Sequence, residues 1–303
     1  MVTRVSTLFQ NQTSLRNLQQ TNSAMELTTY QITSGQKART LADLGTDATK
    51  VLTLRDVQAR TGVYAENITS ATNTLKASEQ ALQDMSDLIS QATSLATQGT
   101  NENSAATRAS LAPQGQALAE AFYTAYKTQY NGKYLFSGMN GDTAPVAGSA
   151  SSTAFPGSPV STSWYQGDNQ TPQVMTGPGT SMNYGVTGDD SAFANLKAAM
   201  ESLWYGLQNN STTDMDQAIS ALQSAKTEIS GLLGTIGGQI DGLKQITERL
   251  DQQKTFTQEQ LDGVEKVDVA SALTTYSQQQ ATLQASMMII SQSQQLTLLD
   301  YIR

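Results

Sequence analysis

A chain with neither cysteine nor histidine leaves little with which to do chemistry. Disulfides, thiolate nucleophiles and cysteine metal sites are excluded. The commonest general base and the commonest metal ligand are missing as well. Among the carboxylates, Asp189-Asp190 and Asp214-Met215-Asp216 would be the pairs to face a cation, but no calcium-loop spacing surrounds them. They read instead as solvated carboxylates of turns and helix starts, where aspartate complements the helix dipole. Gly177-Pro178-Gly179 lacks the lysine and following helix of a phosphate loop. Only a lysine could activate a serine here, and no Ser/Lys pair stands out. Within residues 139–190, Trp164 and Tyr165 form an aromatic pair that could stack on a carbohydrate. Asn67-Ile68-Thr69 spells a glycosylation triplet but falls on a predicted helix. No catalytic, cofactor-binding or metal-binding residue is expected, and the chain is not expected to be an enzyme.

Bulk composition points away from chemistry too. Of 303 residues, 38% are hydrophobic and only 15% charged, so uncharged polar side chains fill the difference. Such side chains can be buried between helices at less cost than ions, which suits a helical element stacking on copies of itself. The net charge of −8 argues against nucleic-acid binding, which favours a basic face. No window approaches the ~18 apolar residues of a membrane span, so no membrane insertion is expected. Met1-Val2-Thr3-Arg4-Val5-Ser6 does not look like a secretory signal. The expectation is a cytoplasmic chain, or one that leaves the cell without a cleaved signal.

Long helices must supply whatever positioning there is. From about Lys50 to Gln98, Leu54, Thr61, Ile68, Leu75, Leu82, Ile89 and Ala96 recur every seven residues, with Val57, Tyr64, Ala71, Ser78, Met85 and Ala92 offset by three. This seam predicts a helix about 70 Å long packed side-on against others, stopped by Gly99 followed by Thr100-Asn101. A second helix is expected from Ser104 to Tyr130, kinked at Pro113 or starting there. Asn131-Gly132 reads as a turn into a short strand, Lys133 to Phe136. Later, Phe193, Leu196, Met200, Leu203 and Leu207 predict a short helix broken at Asn209-Asn210-Ser211. Beyond Thr213, Leu222, Ile229, Ile236, Leu243 and Leu250 repeat every seven, joined by Ala225, Leu232 and Ile246. Gly231, Gly234, Gly237, Gly238 and Gly242 interrupt that run, so the helix there is either kinked or closely approached by another.

The two ends carry thinner stripes. Leu8 and Leu15 share one heptad position, and Leu18, Met25 and Ile32 the other; at the far end Val269, Leu273, Tyr276, Gln280, Leu283, Met287 and Ile290 lead into Leu298-Leu299. Neither stripe stabilises an isolated helix well, so both ends are expected to be loose in the monomer and ordered on assembly. Between them, residues 139–190 are punctuated by glycine and proline, with Ser161 to Tyr165 and Gln173 to Met175 as strand candidates. The fold class is therefore mainly α: a long antiparallel helical rod or coiled-coil bundle made from the N- and C-terminal segments, with a small β-rich inserted outer domain. Its divisions are residues 1–45 (assembly helix and turn), 46–138 (first half of the rod), 139–190 (insert), 191–265 (second half) and 266–303 (assembly helix).

Particular residues also carry a resemblance. Arg4-Val5-Ser6-Thr7-Leu8-Phe9 and Ile32-Thr33-Ser34-Gly35-Gln36-Lys37 resemble the start of the flagellin-like axial proteins of bacterial flagella. Leu283-Gln284-Ala285-Ser286-Met287 and Gln295 to Ile302 are similar to the end of that family's hook–filament junction members. So are Tyr134-Leu135-Phe136-Ser137-Gly138 with Ala144-Pro145-Val146, and Trp164-Tyr165-Gln166-Gly167-Asp168-Asn169 followed by Asp190-Ser191-Ala192-Phe193. The family's usual proline and paired aspartates are missing around Leu41 to Gly45, and Ser86 to Thr97 lacks the basic residues of flagellin's receptor-facing helix.

The resemblance implies a structural component of the flagellum that joins hook to filament by polymerising through its terminal helices, with flagellin, the bulk filament subunit, as the alternative. It implies self-assembly into a tubular layer, a neighbouring hook-associated protein on the hook side and flagellin on the filament side. It further implies a cytoplasmic export chaperone on the C-terminal helix and type III export to an extracellular site. Subunit contacts are expected through Leu8, Leu15, Leu18, Met25, Leu273, Tyr276, Leu283, Met287, Ile290, Leu298 and Leu299.

Overall fold

The computed structural model describes residues 2–157 and 159–302, the side chains of 2–8, 10, 11 and 293–302 excepted. Helix α1 spans Val2–Ser34, and a 3-10 turn follows at Leu41–Leu44. Then come α2 (Asp47–Asn101) and α3 (Ala105–Tyr126). Strands β1 (Gln129–Tyr130), β2 (Lys133–Tyr134), β3 (Gln173–Gly177) and β4 (Thr180–Asn183) form two antiparallel hairpins. The chain closes with α4 (Ser191–Asn209), α5 (Thr212–Glu265) and α6 (Val269–Ile302). It is mainly helical, as its periodicity predicts. Two compact units divide it: a central unit, Thr61–Asp251, and an end unit, Met1–Arg60 with Gln252–Arg303.

In the central unit both predicted α2 series point inward. Ile68, Leu75, Leu82, Ile89 and Ala96 are buried, as are Ala71, Met85 and Ala92, in one cluster with Phe122, Leu203, Leu222, Ile229, Ile236 and Leu243. Burying each large aliphatic side chain contributes roughly 1.5–3 kcal/mol, so this seam holds α2 to α5. α2 ends at Asn101, the last residue of the expected stop, with Gly99 itself still helical. A Cβ at Gly99 would lie 2.7 Å from Leu207 Cδ2 and 2.9 Å from Met215 Sδ, so the residue serves close approach rather than termination. Arg108, buried on α3, closes the end of α2 instead. Its Nε donates to the Gly99 carbonyl at 2.8 Å, and its other nitrogens to the Glu102 carbonyl and Asn210 Oδ1. A cation at a helix C-terminus satisfies orphan carbonyls and complements the dipole.

α3 starts at the N-cap Ser104, and Pro113 sits inside it, so the alternative of a start at Pro113 is not adopted. Asn131 and Gly132 both take positive φ, the requirement of the tight turn joining β1 to β2. In the insert, regular strand is confined to the β3–β4 hairpin. Ser161 to Tyr165 forms no strand: the Ser161 hydroxyl accepts from the Ser163 amide and its carbonyl from Trp164 Nε1, folding the segment on itself. Tyr165 makes only a single bridge, to Val146. Helix α5 is continuous through its glycines. Only Gly242 is approached, by Met182 Cε at 3.3 Å from its notional Cβ; Gly231, Gly234, Gly237 and Gly238 face open space.

In the end unit, Val51, Leu261 and Val264 form a small core with Leu41, Leu44 and Leu54. The connection after α1 is clasped to the one after α5: the Lys37 amide donates to the Glu265 carbonyl at 2.7 Å and the Val267 amide to the Gly35 carbonyl at 2.9 Å. Gly35 adopts φ +71°, which sends the chain from α1 into this clasp.

Candidate assembly surface

None of the residues flagged for chemistry converges on a reactive site. Asp190 is the N-cap of α4, its carboxylate accepting from the Ala192 amide at 2.9 Å. Asp214 lies in the first turn of α5 and accepts from the Phe155 amide and the Ser211 hydroxyl. Trp164 and Tyr165 are not a stacking platform. Trp164 packs at 5.5 Å on the buried Tyr126 ring, and the Tyr165 hydroxyl donates to the Phe136 and Asp168 carbonyls. Burial first, then nearby Asp189 and Asp168, pushes the Tyr165 phenol up to about 12 against a favourable backbone hydrogen bond. Burial likewise raises Tyr126, and burial with the Glu201 hydrogen bond raises Tyr123. Among the described residues no cluster of three acidic side chains could hold a metal, and no helix is long and apolar enough to cross a membrane.

Sequence reading passed over Glu201, buried on α4. It accepts from Tyr123 at 2.7 Å and from Lys197 at 2.8 Å, and it also takes the Ser151 amide and the Thr153 hydroxyl. One carboxylate thus pins a strandless piece of insert to the helices. The available signal was a Lys–Glu pair four apart inside the apolar run Leu196, Met200, Leu203.

The residues predicted for subunit contacts lie on the paired helices α1 and α6. Ser14, Leu18, Thr21, Met25, Thr28 and Ile32 turn one covered row toward α6, which answers with Ala272, Tyr276, Gln279, Leu283, Ser286 and Ile290. Both rows follow the 4-3 spacing of a two-helix coil. Thr28 and Ala272, at 4% and 5% exposure, mark its tightest point. Leu18, Met25, Tyr276, Leu283 and Ile290 therefore sit in this seam. Leu15, Leu273 and Met287 do not: each is about half exposed, with Phe9, Met288 and Ile289 more exposed still. Leu8, Leu298 and Leu299 lie outside the described side chains.

The reason is the width of the stripe on α6. One seam uses Ala272, Gln279 and Ser286, small or polar positions that let helices approach, and leaves the line Leu273–Met287 facing outward. This exposed apolar line has no partner on α1 among the described residues. Beside the seam, Asn17, Gln20, Thr21, Gln278, Gln279 and Thr282 line an amide-rich groove of about 620 Å³.

Paired terminal helices, a helical central unit and a glycine-rich insert define a class that the comparisons name. Residues 5–141 match the bacterial flagellin N-terminal helical region and residues 212–302 the bacterial flagellin C-terminal helical region. The chain belongs to the bacterial flagellin family, whose members have a structural role in flagella. More particularly, it is similar to flagellar hook-associated protein 3 of Escherichia coli (strain K12), 24% identical over 97% of this chain and 98% of that protein. It shares its fold with a putative flagellar hook-associated protein from Vibrio parahaemolyticus (TM-score 0.61, 19% identity, covering 74% of this chain and all of that one). The crystal structure of Bacillus cereus FlgL is also similar (TM-score 0.57, 15% identity, 69% and 99% covered).

Proposed function

We propose that this chain is a junction subunit that joins the flagellar hook to the filament, polymerising through α1 and α6 into a tubular layer. The observation that carries the reading is the two-faced α6. Tyr276, Leu283 and Ile290 are used within the chain, while Leu273 and Met287 remain exposed for contact with other copies. The similarity to hook-associated protein 3 over nearly the whole of both chains supports the junction role. On this reading a hook-associated protein lies on one side of the layer and flagellin on the other, and residues 139–190 form the solvent-facing outer domain. The chain acts without a catalytic site. It is exported to an extracellular position, and a cytoplasmic chaperone covers the apolar C-terminal helix beforehand.

The second reading is flagellin itself, favoured by the match of both terminal regions to that family. Removing residues 284–303 tests the role assigned to α6. The expected product is a soluble chain with a folded central unit that cannot support filament growth. Normal filaments from the truncated chain would refute the assignment.

A further inference from the structure

Beside the clasp of the end unit is a pocket of about 170 Å³ whose walls include two arginines, Arg39 and Arg55. Leu41 and Leu44, resting on the small core of that unit, form its apolar side. The only acidic side chain in its lining is Glu265, which Arg55 holds at 2.7 Å through one of its nitrogens. Arg39 is held differently. Its guanidinium lies 5.3 Å from the centre of the Tyr30 ring and donates to the Glu26 carbonyl, and among the described residues it forms no ion pair. The lining therefore carries one more positive charge than negative, and its exposed guanidinium is already fixed in direction by a ring and a backbone carbonyl.

We infer that this pocket receives a carboxylate side chain from a second copy of the chain. Guanidinium forks recognise carboxylates through paired hydrogen bonds, and the leucine wall suits the methylenes of an acidic side chain. Charge distribution argues for a second copy as the source. The end unit carries ten Lys and Arg against nine Asp and Glu, whereas the central unit carries eight against seventeen. Every copy thus offers a near-neutral end unit with a locally basic pocket and a strongly acidic central unit. Complementary charge of this kind fixes register between partners more than it adds affinity. The inference rests on the self-assembly proposed above and adds to it a contact outside the helical seam.

The test uses full-length chains in cells lacking the wild-type copy, with incorporated copies counted per flagellum by antibody labelling. Arg39→Gln is expected to lower incorporation about two- to five-fold, the scale of one exposed ion pair, and Arg39→Glu to lower it further. Arg39 is exposed, so an unchanged urea midpoint for both variants is expected to separate lost contact from lost fold. A photo-crosslinking residue in place of Gln36, which also lines the pocket, is expected to join two copies of this chain. Wild-type incorporation of both Arg39 variants, or a crosslink only to a different protein, would overturn the inference. So would saturable acetate binding to the dilute chain that Arg39→Gln abolishes without affecting incorporation, which would assign the pocket to a free anion. Met287→Asp, on the exposed line of α6, keeps the two proposals apart: if it fails to incorporate while the Arg39 variants succeed, only the pocket inference falls, and if it incorporates normally, the assembly reading falls.

Discussion

The Tyr123 hydroxyl donates across 2.7 Å to the carboxylate of Glu201, and the two residues come from different helices, α3 and α4. Lys197 supplies the charge that makes burial of that carboxylate tolerable, at 2.8 Å and with little exposure of its own. Removing Glu201 leaves the Tyr123 hydroxyl and the Lys197 ammonium without their shared acceptor. Glu201→Ala is expected to cost about 2–4 kcal/mol of central-unit stability, and Tyr123→Phe about 1–2 kcal/mol. Urea melts of the single and double variants check this, with a coupling energy expected between the two sites.

The glycines fall into two groups with opposite expected outcomes. Gly138 has φ +65°, and a Cβ there would lie 2.1 Å from the Asp168 carbonyl oxygen. Gly138→Ala is therefore expected to destabilise the chain by at least about 2 kcal/mol. Gly234 lies inside α5 with nothing within 4 Å of its notional Cβ. Gly234→Ala is expected to stabilise the dilute chain by about 0.5–1 kcal/mol. Thermal melts of the two variants should move in opposite directions.

Hydrogen exchange should separate the two units. The central seam buries Ile68, Leu75, Leu82, Met85 and Ile89 on α2 alone. The α1–α6 seam mixes Leu18, Met25 and Ile32 with threonine, serine and glutamine. In the dilute chain, amides of α1 and α6 are expected to exchange through local opening, well before those of residues 68–96. Equal protection of both sets would contradict the weakness assigned to the pair.

Alkaline pH should loosen the central unit. Tyr123, Tyr126 and Tyr165 all have phenols held protonated above their ordinary value of 10.0, with Tyr165 at about 12. Above pH 10 the unfolded chain releases these protons while the folded chain keeps them, so stability falls as pH rises toward 12. Far-ultraviolet circular dichroism across that range is expected to show the loss, and Tyr165→Phe should reduce its pH dependence.

Heptad spacing made the long helices legible because it reports burial directly. The positions Ile68, Leu75, Leu82 and Ile89 on α2, and Leu222, Ile229 and Ile236 on α5, are core positions. Spacing could not say which line of a three-line stripe would be used at home. On α6 it pairs Leu273 with Tyr276 and Met287 with Ile290, whereas the seam takes Ala272 and Ser286 because helix approach favours the smaller side chains. Gly99 shows the same limit: a glycine near a helix end signals a stop, and only the neighbouring Leu207 and Met215 reveal its use in close approach. Arg108 was not legible, since two of its partners are backbone carbonyls and the third, Asn210, lies on a distant segment; Glu201 offered only its spacing from Lys197, while its Tyr123 and loop partners lie far along the chain.

The proposed junction role requires this chain to form one layer between hook and filament. Immunogold labelling of intact flagella with an antibody to residues 139–190 tests it most directly. Gold confined to a short band where hook meets filament is the expected result. Gold distributed along the filament would contradict it and make the chain a bulk filament subunit.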